Sequence, residues 1–175
     1  MIDIYPGARW VPADPSNYRV AHRETFQRIV IHCTDGRPHA APVAAMWQQK
    51  GHGSSAHFVI GQDGEVIQAV KLQDIAYHAH LANRVSVGIE HCCRTPRELG
   101  KDDPGLPPTE AQLMAGAQLV AWLCRQAGLS PSRAVILGHA EADPKTTHTG
   151  CPTSAGINLD AYVQRVCQIT YATFA

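Results

Sequence analysis

Short, continuous β-branched runs that alternate with helical patterns are the feature that most restricts the fold of this 175-residue chain. Residues 28–34 read RIVIHCT, which is too short for a helix and continuous in its apolar character. Such a run is typical of a central strand that is covered on both faces of its sheet. Residues 41–50 then follow a helical pattern, with Pro42 in the first turn and Gly51 as a stop. This step from strand to helix predicts an α/β fold, with a central, mostly mixed sheet flanked by helices.

Further strands are predicted around one tight turn and later in the chain. Residues 56–61 and 65–70 are rich in strand-forming residues and flank the turn-forming residues 62–64, which favour a hairpin. Residues 86–92, SVGIEHC, and 134–138, AVILG, are two more short apolar runs. Each of these runs predicts a buried strand.

Two more helices are predicted in the second half of the chain. Thr109 and Gln112 form a capping box at the start of a helical pattern that covers residues 109–128. Asn158 precedes the pattern LDAYVQRVC and predicts the cap of a closing helix. Residues 139–150, between the last predicted strand and this helix, are interpreted as a loop.

The length and composition of the chain favour a single domain over residues 1–175. A hydrophobic fraction of 45% over this length is enough for one core and leaves no room for a second full domain. Residues 1–27 mix Pro, Gly and charge, so they are predicted to form an irregular N-terminal arm with one short strand.

The charge balance and the distribution of apolar residues exclude several classes of partner. The 15 basic and 15 acidic residues cancel, which argues against nucleic acid as a partner and against attraction to anionic lipid. The N-terminus has no basic segment followed by an apolar stretch, and no run approaches the roughly 18 apolar residues of a membrane span. We therefore expect synthesis in the cytoplasm without a Sec signal, and no insertion into a membrane.

Ten histidines suggest metal or proton chemistry. His32 and His139 each stand at the carboxyl end of a predicted strand, the edge where α/β sheets usually place their ligands. Cys151, in a Gly-Cys-Pro turn, supplies a third potential ligand, and a His2Cys set with an open fourth position suits catalytic zinc. Taken one at a time, each residue is more simply a buried core histidine or thiol, and spacing alone does not decide between the two interpretations.

Five segments of the chain, IVIHCT, SSAHFVIGQDGEVIQAV, AYHAH, SVGIE and LGHAEADP…GCP, occur in a recognisable order over residues 28–155. In this order they resemble the landmark segments of the zinc-dependent N-acetylmuramoyl-L-alanine amidases. That family includes amidase-type phage lysozymes, bacterial muropeptide amidases and peptidoglycan recognition proteins. The resemblance implies that His32, His139 and Cys151 bind Zn²⁺ at one edge of the sheet. It also implies hydrolysis of the amide bond between N-acetylmuramic acid and L-alanine in peptidoglycan or its fragments.

The resemblance also implies roles for residues around the metal. Glu90 matches the glutamate that members with this motif use as general base. Other members use a tyrosine at the position that is Ala56 here, which is consistent with Glu90 as the base. The family places Lys or Thr two residues before the third ligand to stabilise the oxyanion, which gives Thr149. Because this loop is longer here, Lys145 or His148 could take the same place, and His148 is ranked beside Thr149.

Substrate contacts are expected around the same centre. His78 matches a family histidine that orients the glycan or the peptide, and Thr34, at the end of the first predicted strand, is expected to contact substrate with it. Residues 92–108 are rich in turn formers and long for a connection within one domain, so they are interpreted as a rim of the substrate groove.

Two other functions and three delivery routes stay open from the sequence. A recognition module of the same fold would hold peptidoglycan or a muropeptide without cleaving it, and a structural zinc domain would need His148 or His78 as a fourth ligand. An active enzyme would recycle muropeptides in the cytoplasm, or act in the periplasm after release by a holin or injection by a secretion system. An injected effector would also have an immunity or inhibitor protein as a partner.

Overall fold

A six-stranded mixed sheet forms the centre of the computed structural model, which describes residues 2–96 and 104–172. The strands in this described part are β1 (Arg9–Trp10), β2 (Tyr18–Arg19), β3 (Arg28–Cys33), β4 (Phe58–Ile60), β5 (Val66–Gln68), β6 (Ile75–Ala76), β7 (Ser86–His91) and β8 (Ile136–Gly138). The large sheet has the order β1-β5-β4-β7-β3-β8, and β2 pairs with β6 in a separate two-stranded sheet. Within the large sheet, β4 and β5 form an antiparallel hairpin and the other neighbours are parallel. The predicted single α/β domain with a mixed sheet is confirmed.

Helices cover both faces of the large sheet. Those in the described residues are α1 (Ala40–Trp47), α2 (Glu110–Ala127), α3 (His139–Ala142) and α4 (Leu159–Ala172). The larger core, which includes Ile29 and Ile31 of β3, packs beneath α2 and α4, whereas α1 packs with β4 and β5 in a second core. Successive side chains of a strand point to opposite faces, so His32 points away from the side that holds Ile31.

The predicted caps at Thr109 and Asn158 are present, but the capping box is only half formed, because Gln112 Nε2 donates to Ile60 O at 2.7 Å and Gln112 Oε1 has no hydrogen-bond partner among the described residues. Thr109 Oγ1 accepts a hydrogen bond from Gln112 N at 3.2 Å, and Gly128 ends α2 with a positive φ of 65°. Asn158 Oδ1 accepts a hydrogen bond from Ala161 N at 3.0 Å and so caps α4. Each cap satisfies backbone groups that have no partner inside the helix, and it therefore stabilises the helix end that the local sequence predicts.

The structure differs from the sequence predictions at three places. Helix α1 ends at Trp47, earlier than predicted, and residues 139–150 begin with the single helical turn α3 instead of a loop. Glu141 Oε2 accepts a hydrogen bond from Gly138 N at 2.8 Å and stabilises that turn, which is too short to show helical periodicity. Within residues 1–27, for which one short strand is predicted, β1 extends the large sheet and β2 pairs with β6.

All six cysteines lie in the described part of the chain, and all are free thiols.

In the described part of the chain, every helix falls short of the length and apolar character that a membrane span requires.

Buried neutral histidines are expected to make the stability of the zinc-free protein depend on pH. Burial lowers the pKa of His91 to about 4, below the 6.5 of an unfolded histidine. The unfolded chain therefore binds more protons than the folded chain below pH 6.5, and His91 destabilises the fold as the pH falls from 6.5 towards 4. We expect wild type to lose about 2 kcal/mol more unfolding free energy between pH 7 and pH 5 than His91→Gln.

Urea denaturation of both zinc-free proteins at pH 5, 6 and 7 measures this difference. The comparison uses the change with pH, so a uniform loss of stability in the variant does not affect it. Equal pH dependence of the two proteins would show that His91 is protonated in the folded state.

Candidate metal centre

Two neighbouring parallel strands bring His32 and Glu90 together. His32 of β3 and Glu90 of β7 are direct register partners, and the residues before them, Ile31 and Ile89, both belong to the core under α2 and α4. Because side chains alternate along a strand, His32 and Glu90 share the opposite face of the sheet. The His32 Nδ1 to Glu90 Oε1 distance is 3.9 Å.

His139 and Cys151 reach the same place from the strand on the other side of β3. His139 directly follows β8, which pairs with β3, and the His32 and His139 rings lie 4.4 Å apart between centroids. The loop after α3 then returns Cys151 to the end of β3, where Cys33 N donates a hydrogen bond to Cys151 Sγ at 3.2 Å. One ligand atom from each of His32, His139 and Cys151 lies within 4.8 Å of the others.

These three side chains fit a bound Zn²⁺ by their chemistry. Burial and the neighbouring His78 hold the pKa of His32 well below its usual value, so this imidazole is neutral, as a metal ligand must be. Burial also lowers the pKa of His139, which favours the neutral imidazole at the second position. Burial raises the pKa of the free Cys151 thiol to about 12, so a thiolate there requires a cation beside it. Two imidazoles and a thiolate are a donor set that zinc accepts, and this group does not include His148 or His78 as a fourth ligand.

Glu90 lies beside this group and has no cationic partner of its own among the described residues. Its side chain is 19% exposed, and its Oε2 atom is buried with no hydrogen-bond partner in the described part of the chain. Burial, with a smaller contribution from Cys33, raises the pKa of Glu90 to about 8. A carboxyl group in such surroundings is suited to accept a proton near neutral pH.

The remaining predicted residues occupy different positions around the centre. His78 Nδ1 lies 3.0 Å from His32 Nε2, and its ring rests on β7 where Gly88 leaves room for it. His148 stacks on His139 with 5.7 Å between ring centroids. Thr34 lines the cleft beside Cys33, whereas Thr149 is exposed and is not among the residues that line the cleft.

A cleft of about 250 Å³ contains the three potential metal ligands and Glu90. It is lined by His32, Cys33, Thr34, Trp47, Ser54, Ser55, Tyr77, His78, Glu90, His139, His148 and Cys151. An apolar groove of about 490 Å³ adjoins the cleft along α1 and includes Val43 and Met46. A polar groove of about 540 Å³ adjoins it on the side of His80 and Lys145. The cleft therefore has room for a substrate that extends in both directions from the centre.

The predicted rim at residues 92–108 is only partly visible, because residues 97–103 lie outside the described part of the structure. On either side of that gap, Arg94 pairs with Leu106 in an antiparallel bridge. Thr95 Oγ1 also lies 3.2 Å from Ser154 Oγ.

The structure shows two residues near the centre that sequence reasoning did not single out. Asp143 lies four residues after His139, with its Oδ2 atom 3.8 Å from His139 Nε2, and it accepts a hydrogen bond from His80 Nδ1. Cys33 lines the cleft next to His32. The spacing of Asp143 from His139 on a helical turn is a signal that would have identified it, and the adjacency of Cys33 to His32 is another.

A family model and a curated relative that match this chain both have the same description. The family model described as N-acetylmuramoyl-L-alanine amidase matches residues 22–154. A curated relative, N-acetylmuramoyl-L-alanine amidase A of Achromobacter lyticus, is 31% identical over 124 residues. That match covers 70% of this chain and 64% of the relative, so the chain spans less than two thirds of the relative's length.

Solved structures share the fold at low sequence identity. A selenomethionine derivative of AmpD has a TM-score of 0.71 and 21% identity, with 95% of this chain and 98% of that chain covered. A mutant endolysin from Bacillus subtilis has a TM-score of 0.67 and 20% identity, with 91% and 99% covered. Drosophila peptidoglycan recognition protein SD has a TM-score of 0.60 and 23% identity, with 85% and 90% covered. Since the family model extends over most of the residues, this chain belongs to the N-acetylmuramoyl-L-alanine amidase family.

Proposed function

We propose that this protein is a zinc-dependent hydrolase that cleaves the amide bond between N-acetylmuramic acid and L-alanine in peptidoglycan or its fragments. The observation that carries the proposal is the grouping of His32, His139 and Cys151 beside Glu90 in one cleft. Membership of the amidase family supports the choice of an amide bond as the one that is cleaved.

His32, His139 and Cys151 would hold the metal ion. The chemistry that Zn²⁺ supplies when bound is polarisation of the scissile carbonyl group and a lower pKa for water. His78, through its contact with His32 Nε2, would fix the orientation of that imidazole ring. The short contact from Cys33 N would stabilise the Cys151 thiolate, because an N–H donor favours the charged form of sulfur.

Glu90 would act as the general base. Its carboxylate accepts a proton from the attacking water and then delivers it to the nitrogen of the leaving L-alanine, which departs as an amine. The absence of a cationic partner among the described residues leaves Glu90 available for this transfer. As the register partner of His32, Glu90 lies beside the proposed metal ligands.

His148 is the better placed of the two candidates for stabilising the oxyanion. It lines the cleft and stacks on His139, whereas Thr149, which is exposed as His148 is, is not among the residues that line the cleft. A donor aimed at the developing negative charge is the requirement for this role. Thr34 and His78, which also line the cleft, would contact the substrate on either side of Glu90 and His32.

The two grooves that adjoin the cleft support a substrate with a sugar part and a peptide part. An amide between a sugar and a peptide extends in two directions from the scissile bond, and the apolar and polar grooves both adjoin the centre. Depending on delivery, the protein would act on muropeptides in the cytoplasm or on the wall after release by a holin or a secretion system. An injected protein would also need an immunity or inhibitor partner in the producing cell.

Digestion of purified sacculi and of soluble anhydro-muropeptide in parallel is expected to release peptides with a new L-alanine N-terminus. A glycosidase would instead need two carboxyl groups flanking the scissile bond, and Glu90 is the one acid among the described residues that line this cleft. Dinitrophenylation followed by amino-acid analysis should therefore yield labelled alanine without an increase in reducing sugar.

The digestion also separates the proposed enzyme from the recognition module. New reducing ends without labelled alanine would contradict the amidase proposal. Tight muropeptide binding without cleavage of either substrate would favour the non-catalytic alternative, which has the same fold.

A further inference from the structure

Asp143 places a buried carboxylate between His139 and a second segment of the chain. Its side chain is 5% exposed, and its Oδ2 atom lies 3.8 Å from His139 Nε2 and accepts a hydrogen bond from His80 Nδ1. His139 Nε2 is buried and lacks any hydrogen-bond partner among the described residues. The nearest charge to this nitrogen that the structure shows is therefore the Asp143 carboxylate.

The same residue fixes the start of the loop that leads to Cys151. Asp143 Oδ1 accepts a hydrogen bond from Lys145 N at 3.2 Å, and its carbonyl oxygen accepts one from Thr146 N at 3.0 Å. Both bonds lie at the first turn after α3. One side chain thus contacts His139 and the first residues of the loop that carries Cys151.

His80 contributes to this contact from the segment between β6 and β7. Its side chain is 72% exposed, yet its ring nitrogen is directed at the buried carboxylate. His80 also has a φ of 43°, a left-handed conformation that is unfavourable for a residue with a side chain. Such strain persists where surrounding contacts maintain it, and the hydrogen bond to Asp143 is a contact of this kind.

We propose that Asp143 is a positioning residue for the metal centre. Its carboxylate accepts a hydrogen bond from His139 Nε2 in addition to the one from His80. A movement of about 0.8 Å brings the 3.8 Å separation to an ordinary hydrogen-bond length. The bond places the proton of His139 on Nε2 and leaves Nδ1 as the metal-binding atom. Metal-binding histidines commonly donate their second nitrogen to a carboxylate in this way. The proposal rests on the zinc site proposed above.

Replacement of Asp143 by Asn is expected to weaken zinc binding by roughly 10–100-fold, the usual effect of removing such a partner. Competition with a chromophoric chelator measures the zinc Kd of the purified protein. The visible absorption of the Co²⁺-substituted protein is expected to change as well, because the His139 ring is no longer fixed. A role limited to folding would leave that spectrum unchanged in the folded variant.

Glu141→Gln provides a matched control on the same helical turn. Glu141 pairs with Arg133 and accepts a hydrogen bond from Gly138 N, and its carboxyl group contacts none of the three proposed ligands among the described residues. This variant should bind zinc within about threefold of wild type, since it removes no partner of a ligand. A loss in Glu141→Gln equal to that in Asp143→Asn would assign the effect to the helical turn and overturn the proposal.

His80→Ala keeps the proposal testable if Asp143→Asn does not fold, because His80 is exposed and its loss leaves no cavity. It is expected to weaken zinc binding by about threefold to tenfold, less than Asp143→Asn, since the carboxylate itself remains. Unchanged zinc affinity in a folded Asp143→Asn variant overturns the positioning role. If Asp143→Asn does not fold, unchanged zinc affinity in His80→Ala overturns it instead. Either result leaves the proposal of a zinc hydrolase intact. A wild-type protein that binds no zinc would overturn both proposals.

Discussion

Cys151→Ser is expected to lower zinc affinity by at least about 100-fold, more than the loss of a residue that only contacts a ligand. Wild type should contain about one zinc per chain after dialysis, and the variant should contain little. Hydrolysis of muropeptide should fall in proportion to the zinc that remains bound. Metal analysis, chelator competition and the release of L-alanine peptides measure the three effects.

The physical reason is that Cys151 supplies the negatively charged ligand of the proposed set. His32 and His139 are neutral, so the thiolate alone reduces the charge of the bound ion. Burial raises the pKa of the free thiol to about 12, which means that zinc must displace a firmly held proton when it binds. A serine hydroxyl at the same position holds its proton more firmly still and is a poor zinc ligand.

Two further variants separate ligation from general damage. Cys167→Ser replaces a half-buried cysteine that donates a hydrogen bond to Pro131 O and is not among the residues that line the cleft, so this variant should retain full zinc. Cys151→Asp should recover part of the zinc that Cys151→Ser loses, because a carboxylate restores the charge. Full zinc content and full activity in Cys151→Ser would refute the assignment of the third ligand.

The strands and helix caps could be predicted because their signals are local. Ile29 and Ile31 alternate with Val30 and His32 in a run that is buried on both faces, and this pattern is visible without any tertiary information. Thr109 and Asn158 are likewise recognised from the few residues that follow them. The placement of His32 at the carboxyl end of β3 follows from the same reasoning.

Contacts that depend on loop conformation could not be predicted from the sequence. Thr149 and His148 are adjacent in a segment without a repeating pattern, so the sequence gives no means to decide which side chain enters the cleft. The contacts of His80 with Asp143 and of His78 with His32 join segments that are 63 and 46 residues apart. Only the folded arrangement of those segments brings such pairs together.

Glu90→Gln is expected to lower turnover by about 100-fold or more while zinc content and fold stay unchanged, in line with the usual contribution of acid–base catalysis. The replacement is nearly isosteric and keeps the side chain beside His32, but an amide cannot accept the proton of the attacking water. Single-turnover assays with excess enzyme measure the chemical step without interference from product release. Glu65→Gln, which removes an exposed partner of Arg9, is the matched control and should retain full activity.

Glu90→Gln is also expected to make the zinc-free protein at least as stable as wild type at pH 8, although it lowers turnover. Burial raises the pKa of Glu90 in the folded, zinc-free protein to about 8, above the value of 4.5 in an unfolded chain. The folded state therefore retains a proton that the unfolded state has released, and Glu90 destabilises the fold increasingly as the pH rises from 4.5 to 8. Glutamine carries no charge at any of these pH values, so zinc-free Glu90→Gln should be at least as stable as zinc-free wild type at pH 8.

Thermal unfolding of the two zinc-free proteins at pH 5 and pH 8, alongside the turnover assay, distinguishes a catalytic carboxylate from a structural one. A residue kept for catalysis in an unfavourable environment gives lower turnover and equal or higher stability when it is replaced, the usual trade-off at active sites. A structural acid would give lower stability with little effect on turnover. A loss of turnover below tenfold in folded, zinc-loaded Glu90→Gln would assign the general base to another residue of the cleft.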